Sequence, residues 1–286
     1  MRLRSGVVKR FLVFVLDGLC LSVILRGKMT MQRVPEEYLY DYAGVCWWCG
    51  DAANSREHKW KKSEIKAMYG LANSDSYPLL WIDDSGNSKT VQGPDSDALK
   101  FEKSLCQNCN NARSQKFDRT YDRWIQHLGA NYEQIIESRV LDLSDVIGVA
   151  GSESRLDLAR YFAKHIGCRV ADKAGRVPAS LISFLNGDSG SSAFAWTELC
   201  VSSSALANHE ITRYRLGMQQ TVAIYSHESR ALSSLKGSLL HGALQLIWDI
   251  NLDPNRQDNA SGILTQDVYW LRDVNDDLFE HRFLVT

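Results

Sequence analysis

The sequence predicts an α+β protein in which two pairs of closely spaced cysteines are followed by helices and then by strands. Three observations carry that. Four cysteines fall in two C-x-x-C pairs, Cys46/Cys49 and Cys106/Cys109. Apolar residues recur at three- and four-residue spacing over 110–128 and again over 154–166, which is the helical period. Later apolar runs are rich in β-branched and aromatic residues, the composition of strands. Runs of helix followed by runs of strand read as an α+β arrangement.

Length and composition set the bounds. A chain of 286 residues is enough for one large domain or two ordinary ones. An apolar content of 44% supplies a core and excludes wholesale disorder. The net charge of −1 excludes a global field that would draw the protein onto nucleic acid, so any such binding needs a local basic patch. Three regions emerge: 1–40, a leader of uncertain status; 41–130, which holds the cysteine pairs; and 131–286, a mixed α+β region without a catalytic motif.

The leader has a basic start and an apolar run over 11–25 broken by Asp17, a layout like that of a signal peptide. It is shorter than the roughly 20 apolar residues of a membrane span, and no small-residue cleavage site follows it. Three readings stay open. It is an upstream start, with Met29 or Met31 the working one; an export signal, which reduced, metal-type cysteine pairs disfavour; or an N-terminal strand or helix packed on the core. A cytoplasmic protein without stable membrane association is the expectation.

The elements then follow in order. Cys46 to Gly50 reads as a tight turn, with Gly50 supplying backbone freedom. Trp81 and Ile82 suit a strand, and 83–87 a turn. Over 110–128 a helix places Phe117, Tyr121, Trp124, Ile125 and Leu128 on its apolar face. Lys116, Arg119 and Arg123 lie roughly opposite, and Gly129 is the expected stop. A second helix over 154–166 carries Leu158, Phe162 and Ile166, and a short one over 178–185 starts at Pro178 and stops at Asn186-Gly187. Strands are expected over 219–225, 239–250, 268–271 and 282–285.

Seven cysteines are an odd number, and C-x-x-C pairs read as metal ligands in a reducing compartment, not as a disulfide framework. Zinc takes four tetrahedral thiolate or imidazole ligands, and each C-x-x-C turn offers two sulfurs from one loop. Between Cys49 and Cys106 lie 56 residues, and the second pair opens a helix, which is treble-clef geometry. A redox pair would normally open a helix within a βαβ unit, and Cys46–Cys49 has no such context.

Between the pairs stands Ser55-Arg56-Glu57-His58-Lys59-Trp60. Directly after the second comes Asn110-Asn111-Ala112-Arg113-Ser114-Gln115. Over 46–125 the chain resembles the HNH endonuclease superfamily, in the branch that reads C-x-x-C, then Glu-His, then C-x-x-C-Asn. The resemblance implies a ββα-metal fold and an endonuclease. In it His58 is the general base, and Glu57 and Asn110 hold a catalytic Mg²⁺ or Mn²⁺ distinct from the zinc. Asn110 takes the place of the terminal histidine of the more familiar pattern, and Arg113 approaches the substrate phosphate. Family members often carry an asparagine shortly before the second knuckle; residues 99–105 contain none.

Physical chemistry agrees with those roles. Neighbouring side chains on extended backbone point to opposite sides, so Glu57 and His58 serve separate tasks. Neutral imidazole is available at pH 7 to take a proton from water. At helical spacing Asn110 shares the azimuth of Phe117 and Tyr121, which turns it toward the segment bearing His58. The cations Arg56, Lys59, Lys61, Lys62 and Lys66, with Arg113, Lys116, Arg119 and Arg123, are either a phosphate-tracking patch on DNA or a solvated face. Glu57 alternatively pairs with Arg56 or Lys61 on the surface, and Asn110 alternatively caps its helix. Region 131–286 is the expected contact for a protein partner, a DNA structure or a signal. A zinc module that binds nucleic acid without cleaving it stands as the alternative function, and a zinc-stabilised interaction protein as a third.

Overall fold

The structure, a computed structural model, describes residues 13–16, 22–23, 30–31, 40–42, 44–64, 66, 79–82, 88–91, 93–147, 152–173, 175–189, 195–207, 216–225, 232–251, 264 and 266–274. Helices and sheets are mixed. The turn expected at 83–87 and the strand expected at 282–285 lie outside the described residues.

The expected amphipathic helix is present, but it starts at Gln115, after a π-helical turn, and runs on to Ser138. Helix α1 spans Gln115–Ser138 and buries Phe117, Tyr121, Trp124 and Leu128, then Ile135 and Ile136. Gly129 does not stop it. A helix-interior glycine costs only about 1 kcal/mol relative to alanine, and the apolar face resumes beyond it. The helix ends at Arg139, whose φ of 57° is left-handed and whose N–H bonds the Ile135 carbonyl. Residue 130, where the sequence divides into zinc-bearing and C-terminal regions, therefore falls inside α1.

Helix α2 (Leu143–Ile147) is short, and helix α3 (Ser152–Asp172) extends the expected element at both ends. Residues 157–170 of α3 are buried on every side. The α3 rings of Tyr161 and Phe162 pack on α1: Tyr121 stacks on Tyr161 at 3.7 Å, and Trp124 meets Phe162 edge-on at 6.3 Å. Helix α4 (Ala179–Leu185) starts after Pro178 and ends at Asn186-Gly187 as expected, with Gly187 at φ 110°. Helix α5 spans Ser203–Ala207.

In the amino-terminal half, β1 (Val13–Leu16) pairs parallel with β4 (Leu79–Ile82), which pairs antiparallel with β5 (Ser88–Thr90). Strands β2 (Ser22–Val23) and β3 (Thr30–Met31) form a separate pair. Further along, β6 is Val140–Asp142, β7 Ala195–Ser202, β8 Leu216–Tyr225, β9 Leu232–His241, β10 Leu244–Asn251, β11 Val268–Trp270 and β12 Arg272–Val274. Five of them make one sheet in the order β12-β7-β10-β9-β8, while β11 pairs with β6.

The single strand expected over 239–250 is in fact a hairpin. Gly242, at φ 60°, and Ala243 form a two-residue turn, which a run of apolar residues on both sides conceals. Along β10 the alternate residues Leu244, Leu246, Trp248 and Ile250 are buried. Trp248 lies opposite Gly237 on one side and Thr197 on the other, small neighbours that leave room for an indole. Tyr121, Phe162, Ile166, Leu239, Leu246 and Trp248 all line one small cavity where the two helices meet the sheet. One hydrophobic cluster runs from Cys46 to Leu271. Among the described residues no helix is long and apolar enough to cross a membrane.

Two glycines give opposite expectations. A Cβ on Gly167 of α3 would lie 2.5 Å from the Trp47 indole, whereas one on Gly129 of α1 meets nothing within 4 Å. Overpacking costs about 1–3 kcal/mol, more than the roughly 1 kcal/mol of helix propensity that alanine adds. Gly167→Ala should therefore lower the melting temperature and Gly129→Ala raise it. Thermal denaturation of the two variants checks both signs.

Candidate metal centre and the adjoining histidine site

The first cysteine pair sits on a small hairpin. Val45 bridges Ala52, the Gly50 N–H bonds the Cys46 carbonyl at 2.9 Å, and Gly50 adopts φ 86°, a conformation that favours glycine. The second pair opens a π-helical turn, Asn108–Arg113, which leads into α1. Two hydrogen bonds clamp the two together: the Trp47 N–H to the Ser104 carbonyl at 3.1 Å, and the Gln107 N–H to the Asn54 side-chain Oδ1 at 2.8 Å.

The sulfurs of Cys46, Cys49, Cys106 and Cys109 consequently lie within 4.8 Å of one another, with Cys49 and Cys106 at 3.5 Å. Four thiolates at a zinc–sulfur distance of about 2.3 Å stand roughly 3.8 Å apart, so these four could hold a metal ion such as zinc. Among the described residues this is the one group of three or more cysteine, histidine or acidic side chains close enough to do so. Burial, together with the neighbouring thiols, pushes the Cys109 thiol up, and burial pushes Cys49 up to about 11. Burial also opposes charge on Cys106, but hydrogen bonds from the Cys109 N–H and adjacent thiols outweigh it and hold that group below the ordinary thiol range. A bound cation would relieve the crowding of charge.

Trp47 and Trp48 pack around the knuckle. Trp47 lies against Gly167 of α3. Trp48 stacks between Trp47 and Phe117, and its indole N–H donates to Asn186 Oδ1 at 2.8 Å. Arg113, expected at a substrate phosphate, is engaged here. Its guanidinium lies 4.6 Å over the Trp48 ring and donates to Cys109 Sγ at 3.3 Å and to Asn186 Oδ1 at 2.6 Å.

Residues 55–59 run antiparallel to 99–105. Ser55 bridges Leu105, His58 bridges Lys100, and the Phe101 N–H bonds the Glu57 carbonyl at 2.9 Å. His58 and Glu57 point to different surroundings, as their adjacency predicts. His58 Nε2 is buried, makes no hydrogen bond, and lies 3.9 Å from Asp95 Oδ1. Burial first, then the cations Lys100 and Lys62, hold the imidazole below the ordinary histidine range; Asp95 and a backbone hydrogen bond to Pro94 act against them. Asn110 turns toward this segment, donating to Ser55 Oγ at 2.9 Å and to the Arg56 carbonyl at 3.3 Å. Its Oδ1 is buried with no hydrogen-bond partner.

Glu57 does not pair with Arg56 or Lys61. It is nearly buried and meets helix α3, with Oε2 3.0 Å from Lys164 Nζ and Oε1 3.6 Å from His165 Nε2. Burial pushes the Glu57 carboxyl up and the Lys164 ammonium pulls it back. Burial likewise opposes charge on Lys164, but the Glu57 and Asp118 carboxylates outweigh it and hold that amine above the ordinary lysine range. The His165 imidazole is held well down by burial and by Lys164 and Arg169. Lys164 and His165 escape a reading of the sequence, because their position within an apolar helix carries no motif. A lysine inside a helix that must be covered on all sides is the one available signal.

The basic cluster is largely neutralised. Arg56 pairs with Asp97 at 2.6 Å, Lys61 with Asp122 at 2.7 Å, and Lys62 with Asp95 at 2.6 Å. Lys116 pairs with Glu153 and Asp157 at 3.2 Å each. Lys59 is buried, with its ammonium 5.8 Å from the Phe101 ring centre. Arg119 and Arg123 are exposed along α1 and bond Gln115 and Thr120 of the same helix.

Searches against protein-family models, curated proteins and solved structures find no match to this chain.

The sulfur cluster makes a direct expectation. Purified protein should carry one metal ion per chain, read by elemental analysis. Cys46→Ser and Cys106→Ser should lose that ion and melt at lower temperature, since a metal bound only by the folded state contributes folding free energy. Metal-free protein that melts at an unchanged temperature in chelator would contradict the cluster's role.

Proposed function

We propose that this chain is a zinc-stabilised, HNH-like endonuclease that hydrolyses phosphodiester bonds in DNA, with His58 as the general base. Zinc on Cys46, Cys49, Cys106 and Cys109 is a closed four-sulfur site, so it supplies folding free energy and leaves no position for substrate. On this reading the two knuckles, the paired segments 55–59 and 99–105, and the helix that follows are the treble-clef, ββα-metal unit. The six described cysteines are all free of disulfides, which supports a reducing, cytoplasmic setting.

The observation that carries the reading is the state of His58. Its ring is neutral at pH 7, and Nε2 has no hydrogen bond to give up. The segment bearing it is tied by Asn110 to the start of the helix that leaves the second knuckle. Once water is admitted to it, such a nitrogen would accept a proton as the water oxygen bonds to phosphorus; the ester P–O bond breaks, and the leaving oxygen is protonated from solvent.

The divalent ion implied for Glu57 and Asn110 fits less well. Asn110 Oδ1 is an unused oxygen, but the Glu57 carboxylate is already bonded to Lys164, so the pair does not fit that ion. The same ion pair favours the second reading, a zinc module that binds nucleic acid without cleaving it. DNA would be met by the outer face of α1, where Arg119 and Arg123 remain exposed.

His58→Ala should lower cleavage of plasmid or single-stranded DNA by about 10²–10⁴-fold, while metal content, melting temperature and DNA affinity stay unchanged. The pH profile follows from the depressed imidazole. A base must be unprotonated, so wild-type cleavage should persist through the ordinary histidine range and fall only at more acidic pH. Zinc-loaded wild type that cleaves no DNA or RNA with any divalent ion supplied would leave the binding-module reading.

A further inference from the structure

We propose that the Lys164 ammonium is the resident cation beside the His58 segment: it occupies Glu57, one of the two residues that the nuclease resemblance assigns to a divalent ion, and keeps Mg²⁺ or Mn²⁺ from it. The inference rests on the residues of that reading, but its test needs no cleavage.

The seat is built of oxygen. Lys164 Nζ lies 3.0 Å from Glu57 Oε2, 3.3 Å from Asp118 Oδ1 and 3.3 Å from Ser114 Oγ. Three acceptors match the three N–H groups of an ammonium. They come from two separate parts of the zinc-bearing region: the extended segment carrying His58, and the start of the helix that leaves the second knuckle. Lys164 is 1% exposed and Ser114 0%. Ser114 is fixed in turn by its bond to the Asn110 carbonyl at 2.9 Å, so the seat shares its frame with Asn110. Two acidic side chains face one ammonium, and His165 Nε2 lies 3.6 Å from the other Glu57 oxygen.

A divalent ion takes the same kind of ligand, carboxylate and hydroxyl oxygen, at about 2.0–2.1 Å for Mg²⁺. It cannot share Glu57 Oε2 with an ammonium at hydrogen-bond distance, because like charges so close in a dry site repel strongly. Occupancy by lysine and occupancy by the ion are therefore exclusive. Since Lys164 arrives on α3, the region beyond residue 131 supplies the charge that completes the site. Lys164 is a positioning residue: it holds Glu57 and Asp118 in place and does not reach solvent or a substrate.

The test is Mn²⁺ binding to zinc-loaded protein, followed by electron paramagnetic resonance, together with melting temperature with and without Mn²⁺. Wild type and Glu57→Gln should show the same weak Mn²⁺ binding. Lys164→Met should gain a Mn²⁺ site at least tenfold tighter than any in wild type. Mn²⁺ should raise the melting temperature of this variant alone. The double variant Lys164→Met/Glu57→Gln should lose the gain. Two results overturn the proposal: a wild-type Mn²⁺ site that Glu57→Gln abolishes, or folded Lys164→Met that gains no Mn²⁺ binding. If Lys164→Met folds only when Mn²⁺ is supplied, the proposal stands. If it folds under neither condition, the comparison of wild type with Glu57→Gln decides. Failure of the nuclease reading would show separately, as absence of cleavage by wild type.

Discussion

Four sulfur atoms drawn within 4.8 Å of one another are the contact on which the surrounding structure depends. The loop between the two pairs is long, so nothing local brings them together. Once they meet, the second knuckle fixes where the π-helical turn and α1 begin. That start sets the register by which Asn110 faces Ser55 and Phe117 faces Trp48. The first knuckle in turn carries two indoles that reach Gly167 and Asn186.

Those indoles land on the C-terminal half, and a second constraint acts there. Helix α3 is covered on every side, yet it carries Arg160, Lys164, His165 and Arg169 in its buried stretch. Buried charge is tolerated only when paired. Arg160 finds Glu153 and Asp157 on its own helix, while Lys164 finds Glu57 and Asp118 across the interface. The helix is thus matched to one surface of the knuckle region by charge as well as by shape. Tyr121, Glu64 and His241 add a buried polar link between α1 and the end of β9.

Much of this was legible where a local rule was at work. C-x-x-C spacing named the sulfurs, and helical period named Phe117, Tyr121, Trp124 and Leu128 as a buried face, which they are. Asn110 does face the His58 segment, but from a π-helical turn and not from the α-helix whose azimuth predicted it. Punctuation by glycine was less informative. Gly129 stands inside a helix because the apolar face continues past it, and Gly242 makes a hairpin turn inside what reads as one strand. Charge was the least legible quantity. A count of lysines and arginines does not reveal that Arg56, Lys61, Lys62 and Lys116 face carboxylates. Nor does an apolar helix announce that one of its lysines is the partner of Glu57. Both depend on segments distant in sequence, and no pattern within a window records them.

Trp48 and Arg113 donate to the same oxygen of Asn186, and that shared acceptor has a kinetic consequence. Trp48 and Asn186 are 138 residues apart, a very non-local pairing. The entropy of closing a loop grows with the logarithm of its length, and chains dominated by distant contacts fold slowly. Closing the shorter loop between the cysteine pairs first would shorten the effective path to Asn186. The order of events would then run from α1, to the sulfur cluster, to the clasp on Asn186. The clasp would then be the last of the three to form.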